Sequence, residues 1–154
     1  MRKVSRSALV AYSAGEMFDL VSDVESYPVF LPWCSGARVY SREDRAGLTI
    51  IDGAVEMRRA GLRRWFRTEN TLIRPESIEM HLVDGPFESL SGGWRFKHLG
   101  DLGSKVSLEL EFEFDSRVAN RLIGPFFVEI CNTLVDAFTR RAEQVYGPRG
   151  PGDG

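Results

Sequence analysis

The sequence has few residues of several kinds, and each shortage argues against a class of protein. Cysteine and histidine occur only twice each among 154 residues, and Cys34 and Cys131 stand far apart in apolar surroundings. We therefore expect two reduced thiols rather than a disulfide framework. The two histidines share neither a helix face nor a metal-ligand spacing. A Ser-His-Asp order and a phosphate-binding loop are also missing from the sequence.

Long apolar runs are missing as well. None approaches the roughly 18 residues of a membrane span, and the N-terminus lacks the apolar core of a signal peptide. We therefore expect a cytoplasmic protein. Lysine is limited to Lys3, Lys97 and Lys105, so arginine supplies most of the positive charge. The formal net charge of −2 gives no overall electrostatic attraction to nucleic acid.

The longest stretch with helical spacing runs from Gly124 to Tyr146. Its apolar residues recur every three or four positions and share one wide face: Phe127, Cys131, Leu134, Phe138, Ala142 and Val145. Pro125 suits a first helical turn, although a start near Ser116 with a kink at Pro125 is also open. Gly147 and Pro148 end the helix. The wide face predicts that the helix lies against a large apolar surface.

The N-terminal part predicts one strand and two short helices. Val4–Ala11 has the composition of a strand. Ser13 and Glu16 form a capping box, which is a specific signal for a helix start. Pro28 and Pro32 then restrict the next element to a single turn.

The middle of the chain predicts an antiparallel meander. Apolar and polar residues alternate in six further strands, near Ala37–Ser41, Leu48–Arg58, Arg63–Ile73, Ile78–Leu82, Trp94–Phe96 and Val106–Phe114, with a loop at Asp84–Phe87. Gly53, Gly92 and Gly93 are the expected points of curvature. The sequence predicts an α+β fold in which a curved antiparallel sheet of about seven strands wraps around the C-terminal helix. We expect one domain over residues 1–147 and a disordered tail over 148–154.

A curved sheet and one helix leave space between them, so the fold predicts an apolar cavity. Its expected lining is Phe66, Met80, Leu82, Trp94, Phe96, Phe127, Cys131 and Leu134, with Trp33 and Phe87 at the mouth. Thr68, Asn70 and His98 are candidates to contact the polar head of a ligand, because each shares a strand face with Phe66 or Trp94. The alternative is that the apolar residues close a dry core.

Three stretches of the chain resemble one family: Met17–Val39 (MFDLVSDVESYPVFLPWCSGARV), Leu82–Phe96 (LVDGPFESLSGGWRF) and Phe112–Gly147. They resemble the START-like, polyketide-cyclase-related family, which contains coenzyme Q-binding proteins and the bacterial ribosome association toxins (RatA). The resemblance extends from about Val4 to Gly147. It implies a helix-grip fold of the START and Bet v 1 type with a hydrophobic cavity.

The resemblance implies two activities. One is non-enzymatic binding of ubiquinone or a related isoprenoid lipid in support of respiratory electron transport, with transient contact at the inner membrane. The other is binding to the large ribosomal subunit, which blocks subunit association. We expect quinone binding, with ubiquinone as an optional bound molecule, and keep the ribosome as the alternative. A polyketide cyclase-like enzyme is the third hypothesis, for which Asp84 and Asp136 are the available carboxylates.

Two surface features bear on the choice of partner. Arginines crowd the predicted hairpin around Gly61, at Arg58, Arg59, Arg63, Arg64 and Arg67, with Trp65 among them. Such a hairpin can bind RNA phosphates or an anionic membrane, whereas the alternative is a merely solvated hairpin. Apolar residues on predicted loops, namely Phe30, Leu31, Trp33 and Phe87, suggest a membrane-docking wedge at the cavity mouth.

Overall fold

One curved antiparallel sheet organises the fold. The computed structural model describes residues 2–115 and 123–149. The strands are β1 (Arg2–Val10), β2 (Cys34–Arg45), β3 (Leu48–Arg59), β4 (Leu62–Ile73), β5 (Ser77–Asp84), β6 (Phe87–His98) and β7 (Ser104–Phe114). They lie in the order β1-β7-β6-β5-β4-β3-β2, so β1 and β2 form the edges. The predicted seven-stranded antiparallel sheet is confirmed.

Three helices complete the fold: α1 (Ala14–Ser22), α2 (Tyr27–Phe30) and α3 (Ile123–Tyr146), with 3₁₀ turns at Val24–Ser26 and Gly100–Leu102. The predicted capping box starts α1: the backbone N–H of Glu16 donates to Ser13 Oγ at 3.0 Å, and Ser13 N–H donates to Glu16 Oε1 at 2.9 Å. The alternative helix start near Ser116 falls outside the described residues. The α+β helix-grip architecture is therefore confirmed, with α3 held against the sheet.

Two predicted strand boundaries are wrong. Strand β6 begins at Phe87 rather than near Trp94, because the pair Gly92 and Gly93 interrupts the alternation that marks a strand. A Cβ at Gly92 would lie 2.1 Å from the carbonyl oxygen of Glu109, so only glycine allows the neighbouring strand this close. Strand β2 is also longer than predicted, because most of this edge strand is polar and exposed and shows no apolar period.

The core lies between the inner face of the sheet and α3. The alternating residues of β7 are buried, and Val106, Leu108 and Phe112 are completely inaccessible. Phe127 of α3 packs edge-on against Phe112, with ring centroids 4.9 Å apart. Burying one such side chain contributes about 1.5–3 kcal/mol, so this layer supplies much of the stability that holds α3 in place.

The chain after α3 returns to the start of α1. Arg149 donates from its two terminal nitrogens to the carboxylate of Glu16, at 2.7 and 3.1 Å, and its guanidinium lies 5.0 Å from the ring centroid of Tyr12. Pro148 and Arg149 belong to the predicted tail, whose remainder, 150–154, lies outside the described residues. The contact fixes the end of α3 to the capped end of α1.

Candidate functional site

A cavity of about 90 Å³ lies between the inner face of the sheet and α3. Most of the predicted lining residues line it: Trp33, Phe66, Asn70, Met80, Trp94, Phe127, Cys131 and Leu134. Ligand pockets for drug-sized molecules usually measure about 300–1,000 Å³. The cavity is thus smaller than an isoprenoid quinone requires and has room for a small ring or several water molecules.

Three predicted cavity residues lie elsewhere. Phe87 is not at the mouth, because its ring packs against Phe127 with centroids 4.7 Å apart. Phe96 packs edge-on against Phe18 of α1. Leu82 is partly buried against the core near Gly85. Alternation along a strand predicts on which side of the sheet a residue lies. It does not predict which part of the interior the residue contacts, because the sheet is curved.

The predicted membrane-docking wedge is also wrong. Leu31 and Phe87 are buried, with exposed fractions of 2% and 5%. Phe30 packs edge-on against Phe138 of α3, with ring centroids 5.4 Å apart. The apolar loop residues therefore fold onto the core, whereas Pro28 and Val29 are the exposed residues of α2.

Several cavity residues were absent from the prediction. Ile51 and Leu72 line the cavity from β3 and β4, and Ile130 and Phe138 line it from α3. Their signals were present, because the helical residues follow the three-and-four spacing and the strand residues alternate with polar neighbours. The pattern does not show where along each element the sheet bends away from α3, and this position decides which residues reach the cavity.

The polar groups of the cavity are few. Asn70 Oδ1 is buried without a hydrogen-bond partner, a property shared among the described residues only by Ser89 Oγ. Thr68 also lines the cavity, whereas His98 is exposed and lies outside it. Leaving such an acceptor unpaired costs about 1–3 kcal/mol. Asn70 therefore offers an unused acceptor to any guest that carries a donor.

The other reactive groups at the cavity are not set up for chemistry. The hydroxyl of Tyr27 donates to the carbonyl oxygen of Val21, and burial raises its pKa. Burial also raises the pKa of the Cys131 thiol to about 12, and that of Cys34, which lies outside the cavity lining, to about 11. Both thiols are therefore protonated near neutral pH and weak as nucleophiles.

The carboxylates of the cyclase hypothesis lie elsewhere, and Asp84 and Asp136 are both exposed. Residues 2–115 and 123–149 contain no cluster of metal-ligating side chains. The same residues contain no helix long and apolar enough to cross a membrane. The described part of the chain thus supplies an apolar interior and a charged exterior.

The five arginines of the hairpin do not form one surface. Arg59 binds both carboxylate oxygens of Glu129 on α3, at 2.7 and 2.9 Å, and lies over the ring of Phe126. Arg67 binds both oxygens of Asp52 on β3, at 2.7 and 2.6 Å. These two guanidinium groups form ion pairs within the molecule, so Arg59 and Arg67 are less available to a partner than the hairpin pattern suggested.

The other arginines divide between the two sides of the sheet. Arg64 alternates to the inner side with Phe66, whereas Arg58 and Arg63 are exposed on the outer side and lie directly opposite each other. Arg63 has a carboxylate at 3.6 Å, that of Glu56, while Arg58 has none within the described residues. Only this outer pair keeps the position and the exposure that the prediction required.

Strand β2 adds a cation that the hairpin pattern did not include. The Arg38 guanidinium lies 4.9 Å from the ring centroid of Trp65, and the described residues provide no carboxylate for it. Sheet register brings β2 beside β3, and no local pattern predicts that pairing. We refer to Arg38, Arg58, Arg63 and Trp65 together as the outer arginine face.

The outer side of the sheet is electrically polarised. Strand β7 carries Glu109, Glu111 and Glu113 on that side, with Lys3 of β1 at 3.1 Å from Glu111. Between β4 and β7 there are three strand spacings, or about 14 Å. The Debye length in physiological salt is about 8 Å, so the glutamates are largely screened from the outer arginine face.

The fold, the inner cavity and the capped short helix define the class of protein. The family model described as "Polyketide cyclase / dehydrase and lipid transport" matches residues 10–139, and the chain belongs to that family. Among solved structures, an 18 kDa protein from Caulobacter crescentus is similar with a TM-score of 0.75 and 29% identity, covering 96% of this chain and all of that one. A Streptomyces aromatase/cyclase shares the fold with a TM-score of 0.76 at 18% identity, covering 99% of each chain.

Two groups of relatives stand at different distances from this chain. A protein of Vibrio cholerae named ribosome association toxin RatA is 48% identical over 96% of this chain and 99% of its own length. The protein of the same name in Escherichia coli K12 is 43% identical, over 97% and 92% of the two chains. A Xenopus laevis coenzyme Q-binding protein COQ10 homolog B is 29% identical over 93% of this chain and 59% of its own. This chain is therefore more similar to the relatives named RatA than to the coenzyme Q-binding relative.

Proposed function

We propose that the protein associates with the ribosome by binding the large subunit, and that it thereby interferes with subunit association. The observation that carries the proposal is the outer arginine face, where a partly exposed tryptophan lies beside three exposed arginines, of which only Arg63 has a carboxylate within 4 Å among the described residues. The relatives named RatA support the same partner. This reverses the order expected from sequence, in which the quinone came first.

Ribosomal RNA presents phosphates at high density, and arginine suits them because its planar fork donates two parallel hydrogen bonds to one phosphate. Among residues 2–115 and 123–149, Arg38 and Arg58 have no ion pair that binding to a phosphate would break. The overall charge of −2 does not oppose this binding, because the glutamates of β7 lie beyond the screening distance. We further infer that the chain acts by binding rather than by catalysis, since the relatives that are 43% and 48% identical to it carry the names of toxins and not of enzymes.

Pelleting with purified subunits tests the proposal. The protein should sediment with large subunits and not with small ones, and less of it should sediment as salt rises, because each phosphate contact releases counterions. Arg58→Glu should weaken the sedimentation. Lys105→Glu is the matched control, since it makes the same change of charge on β7, away from the face. Equal loss in both variants, or no sedimentation of the unchanged protein, would contradict the proposal.

We propose as a second candidate that the cavity binds a small apolar molecule bearing a hydroxyl donor. The unpaired Asn70 Oδ1 supports it, and the reduced ring of an isoprenoid quinone has the required hydroxyl. The coenzyme Q-binding relative supports the same ligand class at a distance. With about 90 Å³ available, only the ring fits without movement, and the isoprenoid chain would have to extend through an opening beside α2 or α3.

Mass spectrometry of an organic extract from the purified protein tests this candidate. A quinone or another isoprenoid lipid should be recovered from the unchanged protein. Asn70→Leu should reduce the recovery by removing the acceptor, and Leu134→Arg should abolish it by placing a charge in the cavity. A clean extract together with no uptake of added quinone would overturn the candidate and leave the ribosomal function standing.

A further inference from the structure

The side chain of Trp65 lies along the outer surface of the sheet. In the register, Trp65 of β4 is opposite Glu56 of β3, which is in turn opposite Gly36 of β2. A Cβ at position 36 would lie 3.2 Å from Trp65 Cη2, so the indole reaches across β3 to β2, a span of about 10 Å. Gly36 provides the space for it. A tryptophan that stood out from the sheet would not contact this position.

The indole remains available to a partner although it lies along the sheet. Its exposed fraction is 39%, and the exposed guanidinium of Arg38 lies over the same ring. Together the two side chains form a layer of flat groups at the surface. Unpaired nucleic-acid bases stack on aromatic rings and on guanidinium planes of this kind.

A phosphate site lies next to this layer. Arg58 and Arg63 are directly opposite each other, two pairs further toward the hairpin turn than Glu56 and Trp65 and therefore on the same side of the sheet. Opposed residues of an antiparallel pair have Cα atoms about 4.5–5.5 Å apart, and like charges so placed are destabilising. Glu56 at 3.6 Å from Arg63 relieves this only in part. An anion between the two arginines would relieve the remaining repulsion.

From this juxtaposition we propose that the outer arginine face binds unpaired RNA, with a base stacked on Trp65 and Arg38 and the adjoining phosphate held by Arg58 and Arg63. The inference rests on the proposed function, since it identifies the chemical feature of the ribosome that the protein contacts. A duplex offers phosphates but no unpaired base, so it would bind the arginines without stacking on the tryptophan.

An anionic membrane fits the surface less well. Apolar groups that anchor a protein to a bilayer enter about 5–10 Å into the headgroup region. The indole of Trp65 follows the sheet and does not project from it. Lipid vesicles therefore serve as the competing probe in the test.

Fluorescence titration with a short single-stranded RNA of mixed sequence tests the proposal. The RNA should quench tryptophan emission, since Trp65 is more exposed than Trp94 and stacking alters its environment. Trp65→Ala should weaken RNA binding, followed by anisotropy of a labelled RNA, by about 5–150-fold, which corresponds to the loss of one stacked base. Trp65→Phe should restore much of the affinity. The same Trp65→Ala change should leave binding of a duplex of equal length almost unaltered.

A second variant displaces the ring without removing it. Gly36→Val places a branched side chain where the indole lies, and single-stranded RNA binding should fall while circular dichroism and thermal unfolding report an intact fold. If Trp65→Ala and Gly36→Val both bind the RNA as the unchanged protein does, the stacking site is refuted. Trp65-dependent binding to phosphatidylserine vesicles, without RNA binding, would refute it too.

The outcomes separate this inference from the proposed function. If the unchanged protein and Trp65→Ala sediment equally with large subunits, ribosome association is supported and the stacking site is refuted. If the protein binds single-stranded RNA through Trp65 but does not sediment with ribosomal subunits, the stacking site is supported and the ribosomal function is refuted.

Discussion

The two sides of the β3–β4 hairpin differ in how far the molecule satisfies its own groups. On the inner side, Phe66 and its neighbours pack against α3, and the only polar atom left buried and unpaired at the cavity is Asn70 Oδ1, within the described residues. On the outer side, the next residue, Trp65, is partly exposed beside the guanidinium of Arg38, for which the described residues provide no carboxylate. Adjacent residues of one strand thus lie in a packed interior and on an exposed charged surface, and we propose that the second serves recognition.

The comparison explains why a familiar fold does not fix the partner. The inner side of this family suggests a carrier, but here it encloses about 90 Å³ and is largely filled by its own side chains. Unused binding capacity lies on the other side, in exposed charge. Because strand residues point alternately to opposite sides, a single substitution can disrupt one region and leave the other intact.

The largest effect on stability should come from truncating a buried side chain on the inner side of the sheet. Phe138 is 1% exposed and contacts Tyr27, Phe30 and Trp94, so Phe138→Ala should lower the free energy of unfolding by about 3–5 kcal/mol, as measured by urea denaturation. The fraction that remains folded should still sediment with large subunits. A loss of binding without a loss of stability would place the interface on the inner side instead.

A substitution on the outer side should do the opposite. Arg58→Glu replaces the like-charged pair with Arg63 by an opposite-charged one, so the free energy of unfolding should rise by a few tenths of a kcal/mol. Affinity for large subunits should nevertheless fall about tenfold or more, and the salt dependence should become shallower because at least one phosphate contact is lost. Affinity and stability that fall together would argue that Arg58 supports the fold rather than the contact.

A change at Asn70 tests whether ligand binding in the cavity and ribosome binding are independent of each other. Asn70→Leu removes the unpaired buried acceptor and adds apolar contact, so in ligand-free protein it should raise the free energy of unfolding by about 1 kcal/mol. Ribosome binding should not change. Thermal unfolding with and without added quinone provides the check, since a ligand that uses Asn70 would stabilise the unchanged protein and not the variant.

The smallest effect concerns the contact between Arg149 and Glu16. The side-chain hydrogen bond from Arg149 lowers the pKa of Glu16 below its ordinary value of 4.5. A lowered pKa in the folded state stabilises the protein above pH 4.5, and that contribution disappears as pH falls through the folded-state value. Arg149→Ala should therefore cost less than about 1 kcal/mol near neutral pH.

The difference in the free energy of unfolding between Arg149→Ala and the unchanged protein should shrink as pH falls below 4.5 and through the lowered pKa of Glu16 in the folded protein, because the protonated carboxyl no longer pairs with Arg149. Unfolding curves at several pH values test this. A difference that persists unchanged in acid would mean that the packing of Arg149 over Tyr12, and not the ion pair, provides the stabilisation.

Local signals were sufficient for the order of elements. The Ser13 and Glu16 pair predicts the start of α1, and the alternation after Lys105 predicts β7, because both depend only on residues close in sequence. The predicted curved sheet and single helix implied the cavity, and resemblance to a family added the helix-grip name and supported the cavity. Where backbone curvature decides, as for Phe87 at the start of β6, the pattern failed because glycines interrupt it.

The parts of the site that could not be predicted depend on pairing between distant segments. Arg59 and Arg67 looked as free as Arg58 in the sequence, yet Glu129 and Asp52 neutralise the first two. Glu129 lies 70 positions away from Arg59, and the register of β3 against β4 decides which carboxylate meets Arg67. Position in the tertiary structure, rather than residue type, therefore determines which arginines can bind a partner.

The most direct test of the account is light scattering during the association of isolated small and large ribosomal subunits. The unchanged protein and Asn70→Leu should both reduce the formation of joined ribosomes, while Arg58→Glu should reduce it much less at the same concentration. Inhibition that survives Arg58→Glu and disappears in Asn70→Leu would contradict the account, because it would assign the activity to the cavity and not to the outer arginine face.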